Sequence, residues 1–465
     1  MGDMRFQQFL ASVSAVLDGI PNFPRPLKSQ QESALFAITM KQDVFAILPT
    51  GYGKSLVYHL LPLVYKEFYK CEIQPTVLVV SPLVELVKEQ VKQLEDKVLV
   101  SMVISHSLLD DLLMDNHFLD KCSILFGSPE AILNSAWRDQ IQQHTAFQTR
   151  LVAVVIDEVH CVTEWGTANK KRQEAAFREW YSQLGQIRAL VSFAVPIVAM
   201  TATATAETRS TVKQILKMRH PVIVEANPDR PNIKYSVQKI EDDPFVTFKW
   251  LVDELKKKTT AAPKTIIYCR RVKDCAYIYR VFQMGIPDCI AYHPAMSEKV
   301  AKNRIFGMFH QSTEKEIKDT VIQSFRKPDG VCRIVITTIA LGMGMDFQNI
   351  RRVINYGPPN TLEQYSQQCG RAGRDNEQSI AAIYYHGRHL TTCDEALRGY
   401  TSQTESCRRE LLLGHFDAPN KYVHDWIETC PNTKGLTPAT DEMEKQNAST
   451  GVPKINDSNS LEPEG

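Results

Sequence analysis

The segment that most strongly indicates the fold is Val44-Phe45-Ala46-Ile47-Leu48-Pro49-Thr50-Gly51-Tyr52-Gly53-Lys54-Ser55. An apolar run, a glycine loop and a helical pattern that begins at Leu56 follow one another, which is the context in which Gly-Lys-Ser binds phosphate. Glycines let backbone N–H groups turn toward an anion, and the N-terminus of the next helix adds its positive dipole end. The alternative is a chance Gly-x-Gly-Lys-Ser in a surface turn, because Leu48 stands where the strict pattern has its first glycine.

The loop assigns roles to particular side chains. Lys54 is expected to reach the β- and γ-phosphates of a nucleotide, and the Ser55 hydroxyl to ligate Mg²⁺. Upstream, the Gln31 amide presents a donor and an acceptor together, which suits the edge of adenine, although a solvated helix face is the alternative. The predicted ATP site therefore comprises Gln31, Pro49, Thr50, Gly51, Tyr52, Gly53, Lys54 and Ser55.

Composition limits the class of protein. A chain of 465 residues with 43% hydrophobic residues predicts two or three domains with packed cores. The formal net charge is +1, so any basic groove for nucleic acid must be local. The 11 cysteines are scattered, which is typical of free thiols in a reducing compartment. The pattern of residues 1–17 predicts a short amphipathic helix and not a signal peptide. No apolar run approaches 20 residues, so we expect no membrane span and a soluble intracellular protein.

Apolar strands alternate with helical patterns through the first half of the chain. Strands are predicted at 44–47, 77–80, 124–126, 151–156 and 196–200, and a polar motif follows each of them. This alternation predicts a parallel sheet with helices on both faces, in which ligands bind at the carboxyl ends of the strands. The motifs after the four later strands are Ser81-Pro82-Leu83, Gly127-Ser128-Pro129, Asp157-Glu158-Val159-His160 and Thr201-Ala202-Thr203.

The acidic pair in this series has catalytic potential. Asp157 is expected to hold Mg²⁺ directly or through water, and Glu158 to polarise the attacking water. The alternative is a pair of acids that cap a helix. An aromatic and cationic segment that includes Trp165, Phe177 and Arg178 follows, which suits stacking on bases and contact with phosphates. Packing of the tryptophans against the domain is the alternative there.

A turn-rich break at 227–232 marks the predicted domain boundary, after which a second alternating pattern begins. Strands are predicted at 265–269, 290–293, 333–337 and 353–356, and a helix then ends in the segment 367–375. This half has no Gly-Lys-Ser loop and contributes Arg371 and Arg374. A guanidinium from a facing domain can neutralise charge that develops on the γ-phosphate, whereas a solvated helix end is the alternative.

Together these motifs resemble those of superfamily 2 helicases, and specifically the RecQ family of DNA helicases, across residues 24–413. The resemblance implies an α/β fold of two tandem RecA-like parallel-sheet domains. It also implies 3′→5′ movement on single-stranded DNA that depends on ATP and Mg²⁺, with unwinding of the duplex ahead. The matching motifs of the second half are Tyr268-Cys269, Tyr292-His293, Gly342-Met343-Gly344-Met345-Asp346 and Gln367 to Asp375.

The resemblance also implies site residues and partners. The expected catalytic residues are Lys54, Asp157, Glu158, Arg371 and Arg374. Ser55 and Asp157 are the expected ligands of Mg²⁺. The expected partners are single-stranded and forked DNA in repair and recombination, in the nucleus, with the cytoplasm as an additional location. The expected contacts with nucleic acid are Ser81, Pro82, Ser128, Pro129, Trp165, Phe177, Arg178, His293 and Thr338.

The chain departs from the family pattern in several places. The aromatic segment has an insertion near 167–175, and Val159 replaces the usual alanine. The zinc subdomain is degenerate, because Cys407, His424 and Cys430 supply at most three ligands where a structural site needs four. We therefore expect a zinc-free helical remnant. The expected segments are an N-terminal helix (1–23), two RecA-like domains (24–228 and 229–392), the helical remnant (393–432) and a disordered tail (433–465).

Three other functions remain open at this stage. We expect no winged-helix domain, and this expectation favours a DNA-stimulated translocase or annealing factor with weak unwinding. A non-catalytic nucleic-acid-binding scaffold is the second, and the intact set of catalytic residues argues against it. An RNA substrate is the third, because the preference for DNA depends only on analogy with the family.

Overall fold

Two parallel β-sheets organise the chain, one in each half. The computed structural model describes residues 2–20, 24–82, 84–94, 99–104, 119, 121–166, 179–241, 243–292, 300, 303–338 and 347–416. Every strand pair within these two sheets is parallel. Parallel pairing requires crossover connections, and helices supply them in both halves.

The first sheet has seven strands in the order β3-β4-β2-β5-β6-β1-β7. Its central strands are continuous apolar runs that are buried on both faces, as expected for a parallel sheet covered by helices. The strands are β1 (Val44–Ile47), β2 (Thr76–Val80), β3 (Ser101–Val103), β4 (Ile124–Gly127), β5 (Leu151–Ile156), β6 (Ile197–Thr201) and β7 (Val222–Glu225).

Helices cover both faces of the first sheet. One core contains Phe9, Leu60 and Val155, and the other contains Trp137, Phe147 and Ile156, all of them almost fully buried. The helices are α1 (Gly2–Gly19), α2 (Ser29–Thr39), α3 (Lys54–Tyr69), α4 (Val84–Leu94), α5 (Pro129–Ile132), α6 (Ser135–Gln143), α7 (Thr145–Arg150), α8 (Cys161–Gly166), a 3₁₀ helix (Glu179–Gln186), α9 (Ile187–Leu190) and α10 (Ala206–Ile215).

The second sheet has six strands in the order β10-β11-β9-β12-β13-β8. Its faces pack into two further cores, one around Tyr365 and the other around Phe282. The strands are β8 (Ile233–Lys239), β9 (Lys264–Cys269), β10 (Phe306–Phe309), β11 (Ile334–Thr337), β12 (Ile350–Tyr356) and β13 (Ser379–Tyr385). The chain therefore passes from the first sheet to the second between residues 225 and 233.

The helices of the second half surround this sheet and end in a short C-terminal pair. That pair, α16 and α17, lies in the region where the sequence predicts a helical remnant. The helices are α11 (Pro244–Lys258), a 3₁₀ helix (Thr259–Ala261), α12 (Val272–Gly285), α13 (Asp288–Ala291), α14 (Lys315–Arg326), α15 (Leu362–Cys369), a 3₁₀ helix (Gly387–Thr392), α16 (Glu395–Ser402) and α17 (Arg408–His415).

The predicted fold class of two tandem parallel-sheet α/β domains is confirmed, and one predicted strand is wrong. Residues 290–291 belong to α13 because the N–H groups of Ile290 and Ala291 both donate to Pro287 O at 2.9 Å. Tyr292 makes only an isolated antiparallel bridge with Arg304. Proline fixes its own φ in a range that starts a helical turn, which overrides the apolar run that follows.

In the described part of the chain, none of the helices combines the length and the apolar character that a membrane span would need. The predicted tail, 433–465, lies outside the described residues.

Candidate nucleotide site and nucleic-acid edge

The phosphate loop joins β1 to α3 and adopts a backbone that only glycine accommodates easily. Gly51 has φ of 81° and Gly53 has φ of 89°, both in the left-handed region. Lys54 then begins α3, so the loop ends on a helix N-terminus, where free N–H groups and the helix dipole favour an anion. The local geometry is therefore that of a phosphate-binding loop.

Gln31 supports this loop with its whole amide. Its Nε2 donates to the carbonyl oxygens of Tyr52 and Gly53 at 3.0 and 3.1 Å, and its Oε1 accepts from Lys28 N at 2.8 Å. These contacts tie α2 to the outer side of the loop. The role of Gln31 at the adenine edge stays a prediction.

Substitution of Gly53 by alanine is expected to weaken ATP binding by about tenfold or more. A Cβ at this position would lie 2.6 Å from Gln31 Nε2, and a non-glycine residue at this φ costs on the order of 1–3 kcal/mol. The KM for ATP and the Kd of a non-hydrolysable ATP analogue measure the effect. Gly19→Ala is the matched control, because no atom lies within 4 Å of its added Cβ. Equal affinities for the two variants would contradict the prediction.

Lys54 points from the loop toward the acidic pair. Its Nζ lies 3.5 Å from Leu48 O and 3.9 Å from Glu158 Oε1, and only 12% of its side chain is exposed. The ammonium group therefore lies between the glycine loop and the end of β5. A cation at this point faces the space that the phosphates of a nucleotide would occupy.

Asp157 is held at the end of β5 by two hydrogen bonds. The Tyr58 hydroxyl donates to its Oδ2 at 3.2 Å, and the backbone N–H of Glu158 donates to its Oδ1 at 2.9 Å. Burial and the neighbouring Glu158 charge raise the pKa of Asp157 to about 6. A buried carboxylate beside a second carboxylate is destabilised in its charged form, so this position favours a cation.

Glu158 is the more strongly ionised member of the pair. Burial alone would raise its pKa, but Lys54, His160, Arg371 and Arg374 together hold the pKa below its ordinary value. Glu158 also has φ of 47°, an uncommon backbone state for a residue with a side chain. An ionised carboxylate held in this way can accept a proton from water.

A relay of polar contacts joins the acidic pair to the end of β6. His160 Nδ1 lies 3.4 Å from Glu158 Oε2 and 3.2 Å from Thr201 Oγ1. The Thr201 hydroxyl donates to Thr203 O at 3.0 Å. The structure thus brings together two motifs that the sequence predicts at neighbouring strand ends.

The arginine loop, residues 370–375, packs against the phosphate loop from the second domain. A Cβ at Gly370 would lie 3.1 Å from Thr50 Cβ, and a Cβ at Gly51 would lie 3.6 Å from Arg374 Cγ. Arg371 is 7% exposed, and both arginines act on the pKa of Glu158. Lys54, Glu158 and the two arginines therefore surround one cleft between the domains.

These residues fit a nucleoside triphosphate with Mg²⁺. The two glycines leave a cradle that a Cβ would fill, and Lys54 and the arginines supply positive charge on both sides of it. Ser55 lies in the first turn of α3, and Asp157 supplies a carboxylate oxygen at the same edge of the sheet. Mg²⁺ in such sites keeps several waters and takes only one or two protein ligands, so two suffice.

Apart from Trp165, the described residues that are predicted to contact nucleic acid lie at the carboxyl ends of β2 and β4 in the first sheet and of β11 in the second. Ser81 N donates to Gly127 O at 2.9 Å, which places the first two ends side by side. Ser81 and Pro82 are buried, and so is Pro129, which begins α5. Ser128 in the first domain and Thr338 in the second are partly exposed, so each presents side-chain surface at the strand ends of its own sheet.

A cavity of about 800 Å³ opens at the carboxyl ends of β9 and β12 in the second domain. Arg270, Arg271 and Arg388 line it, together with His386 and Tyr277. Arg271 is 69% exposed in its side chain, and Tyr277 is 63% exposed. Cations beside an exposed aromatic ring suit a nucleic-acid strand.

Several predicted residues lie outside the described part of the chain. They are Phe177, Arg178, His293, His424 and Cys430, with the glycine-rich motif 342–346 and the insertion 167–175. Trp165 belongs to α8, but its side chain is outside the description. Cys407 precedes α17, and among the described residues no group of three or more His, Cys, Asp or Glu side chains could hold a metal.

Sequence reasoning missed three residues that shape the site. Tyr58 and Gln90 form a buried pair at 2.8 Å that orients Asp157, and Arg230 joins the two domains. Tyr58 follows Lys54 by four residues on one helix, and this spacing could have placed it at the site. Nothing in the local sequence around Gln90 or Arg230 indicates these contacts.

Known families match both halves of the chain. The DEAD/DEAH box helicase family matches residues 28–212, and the helicase conserved C-terminal domain matches residues 247–376. The ATP-dependent helicase SGS1 of Saccharomyces cerevisiae is 28% identical over 446 residues, which is 90% of this chain and 28% of that protein. The ATP-dependent DNA helicase RecQ of Pasteurella multocida is 28% identical over 408 residues, 83% of this chain and 57% of that protein.

The fold has solved counterparts as well. The DUF1998 helicase MrfA bound to DNA aligns with a TM-score of 0.60 and 16% identity over 82% of this chain and 51% of that one. The chain spans from about a quarter to less than two thirds of the length of the first relatives that it matches. The two family matches, which together cover more than half of the chain, agree with the paired parallel sheets: the chain belongs to the helicases that join a DEAD/DEAH box domain to a helicase conserved C-terminal domain, and it is similar to RecQ helicases.

Proposed function

We propose that this chain is an ATP-dependent DNA helicase that moves 3′→5′ along single-stranded DNA. The observation that carries the proposal is the contact between the arginine loop and the phosphate loop across the domain cleft. A phosphate loop alone indicates only nucleotide binding. Arginines from a second domain beside the same loop are typical of a motor that couples hydrolysis to domain movement.

Each residue of the cleft has a task in this function. ATP with Mg²⁺, when bound, supplies the phosphoryl group whose transfer to water releases free energy. Lys54 neutralises charge on the phosphates, and Ser55 and Asp157 hold the metal. Glu158, held ionised, accepts a proton from the attacking water, and Arg371 and Arg374 face the charge that develops on the leaving phosphates.

The division of the cleft between two domains makes movement part of the cycle. Contacts from both domains to one nucleotide favour a closed arrangement, and their loss after hydrolysis favours an open one. Ser128 lies on the first domain, whereas Thr338 and the arginine-lined cavity lie on the second. A strand that touches both would be shifted when the domains close.

The proposed substrate follows from the surfaces and from the named activities of relatives. Arginines and exposed aromatic groups suit a single strand irrespective of its sequence, so affinity should fall steeply with salt. The Q1 and RecQ relatives are named as DNA helicases, which favours DNA, although one relative is named as a putative RNA helicase. Polarity, action at forks, a nuclear location and a role in repair and recombination remain parts of the proposal.

The test measures ATP hydrolysis with and without single-stranded DNA, duplex DNA and single-stranded RNA, all at equal nucleotide concentration. Single-stranded DNA is expected to stimulate hydrolysis by about tenfold or more, because closure of the cleft depends on both ligands. Strand displacement on duplexes with a 3′ or a 5′ overhang then assigns polarity. Stimulation without displacement would indicate a translocase, and no stimulation by any nucleic acid would overturn the motor function.

A further inference from the structure

The linker between the two domains, residues 226–232, contacts both halves of the ATP cleft. Arg230 donates through Nη1 to Thr50 O at 3.5 Å and through Nη2 to Ala372 O and Gly373 O at 3.2 and 2.5 Å. One guanidinium therefore contacts the phosphate loop and the arginine loop together. Because the guanidinium group is rigid and planar, its N–H groups hold the carbonyl oxygens of the two loops at a fixed separation.

The arginine loop is held by the same linker at a second point. Asn232 Nδ2 donates to Gly373 O at 2.7 Å and to Glu377 O at 2.9 Å. Gly373 has φ of 56°, and a Cβ there would lie 2.3 Å from Asn232 Nδ2. The loop that carries Arg371 and Arg374 is thus fitted closely to the linker.

The short helix α17 in turn fixes the linker. Arg409 donates to Asp229 Oδ1 at 2.5 Å, to Arg230 O at 2.8 Å and to Ile233 O at 2.6 Å. Asp229 is only 4% exposed in its side chain, so this ion pair is shielded from water. The backbone on both sides of Arg230 is therefore set by one side chain of α17.

The same helix also contacts the element that leads into the arginine loop. His415 Nε2 lies 2.8 Å from Glu363 Oε1 on α15, and α15 ends one residue before Gly370. Leu412 and Phe416 join the core of the second domain, and Leu413 on the same helix is buried as well. A single helix thus touches both segments that flank the cleft.

We propose that α17 is a brace for the ATP site, in which Arg409 acts as a positioning residue through Arg230. The inference builds on the proposed ATPase function and adds that the remnant of the zinc region sets the position of the arginine loop. The hydrogen bonds of Arg409 are made to the linker and to Ile233 directly after it, and not to Lys54, Glu158 or the two arginines of the cleft. Its effect should therefore fall on turnover more than on ATP affinity.

The experiment uses the full chain with ATP and oligo-dT as the single strand. Arg409→Ala and Arg409→Lys are expected to lower kcat by about tenfold, with the KM for ATP changed by less than about threefold. Lysine keeps a positive charge beside Asp229 but lacks the fork that reaches the carbonyl groups, so this variant should fold. Arg408→Ala is the matched control, because Arg408 contacts Tyr400 O and Gln403 O and not the linker.

Two further readouts separate positioning from a loss of stability. If Arg409 acts through Arg230, the double variant Arg409→Lys, Arg230→Ala should be no slower than Arg230→Ala alone. Hydrogen exchange of residues 370–376, measured without nucleotide, should be faster in Arg409→Lys than in Arg408→Ala.

The outcomes distinguish the brace from the proposed function. A wild-type chain without ATPase activity would overturn the proposed function, and the exchange measurement would still decide the brace. A kcat of Arg409→Lys within twofold of Arg408→Ala, or additive losses in the double variant, would overturn the brace. In an inactive chain, equal exchange in the two variants would do the same.

Discussion

Replacement of Lys54 by alanine is expected to lower DNA-stimulated ATP turnover by a factor of about 10² to 10³ or more, the loss typical when a preorganised charge is removed from a developing anion. The Lys54 ammonium lies between Leu48 O and Glu158 Oε1, where it faces both the glycine cradle and the acidic pair. Its removal also raises the pKa of Glu158, because Lys54 is the foremost of the cations that lower it. Phosphate release at saturating single-stranded DNA measures the loss.

The fold should survive this substitution. The distance of 3.9 Å between Lys54 Nζ and Glu158 Oε1 is near the limit for an ion pair, and Arg371 and Arg374 remain as cations that stabilise the charged form of Glu158. Lys66→Ala on the same helix is the control, because its Nζ lies 3.5 Å from Gln74 Oε1 and far from the loop in sequence. The two variants should unfold at similar temperatures and differ only in turnover. A Lys54→Ala variant that hydrolyses ATP at the wild-type rate would show that the site is assigned wrongly.

The central strands of both sheets were predictable because their local sequence carries the whole signal. Runs such as 151–156 are apolar throughout, and burial on both faces needs nothing more. The strand β10 was missed because Phe306-Gly307-Met308-Phe309 contains a glycine, which usually weakens a strand. In the fold, Gly307 leaves space for the Val321 side chain, because a Cβ at position 307 would lie 2.8 Å from Val321 Cγ2.

Edge strands and the strand after the linker were missed for another reason. Residues 233–238 alternate apolar and polar side chains, as a half-exposed strand does, and lack the continuous apolar run that marks the central strands; β8 is only partly buried. Its place is fixed by a full parallel register with β13, which is about 150 residues further along the chain. Such pairing depends on tertiary context, which a local pattern does not contain.

The residues of the candidate site also fall into two groups, those that a local pattern indicates and those that depend on tertiary contacts. The glycine loop, the acidic pair and the two arginines were predictable because the chemistry requires these residue types at short spacings. Tyr58 was predictable in principle from its helical spacing. Arg230 and Arg409 act through backbone carbonyl groups across 142 and 179 residues of sequence, and a guanidinium that binds carbonyls has no local pattern.

Replacement of Arg374 by alanine is expected to lower kcat by a factor of about 10³, with a smaller change in the KM for ATP, because an arginine from the facing domain acts mainly in the transition state. Arg374 Cγ would lie 3.6 Å from a Cβ at Gly51, and its charge contributes to the low pKa of Glu158. Arg374→Lys should recover only part of the rate, because lysine lacks the planar fork. Single-turnover hydrolysis and the affinity for an ATP analogue separate the two effects.

The control for Arg374→Ala is Arg280→Ala, which removes an exposed arginine from α12 in the same domain. It should leave kcat within about twofold, since a solvated surface charge contributes little. If Arg374 completes the cleft only in the closed arrangement, Arg374→Ala should also lose the stimulation by single-stranded DNA, whereas Lys54→Ala loses turnover with and without DNA. An Arg374→Ala variant with normal kcat and normal stimulation would mean that Arg374 plays no part in hydrolysis, and its contact with the phosphate loop would then be structural only.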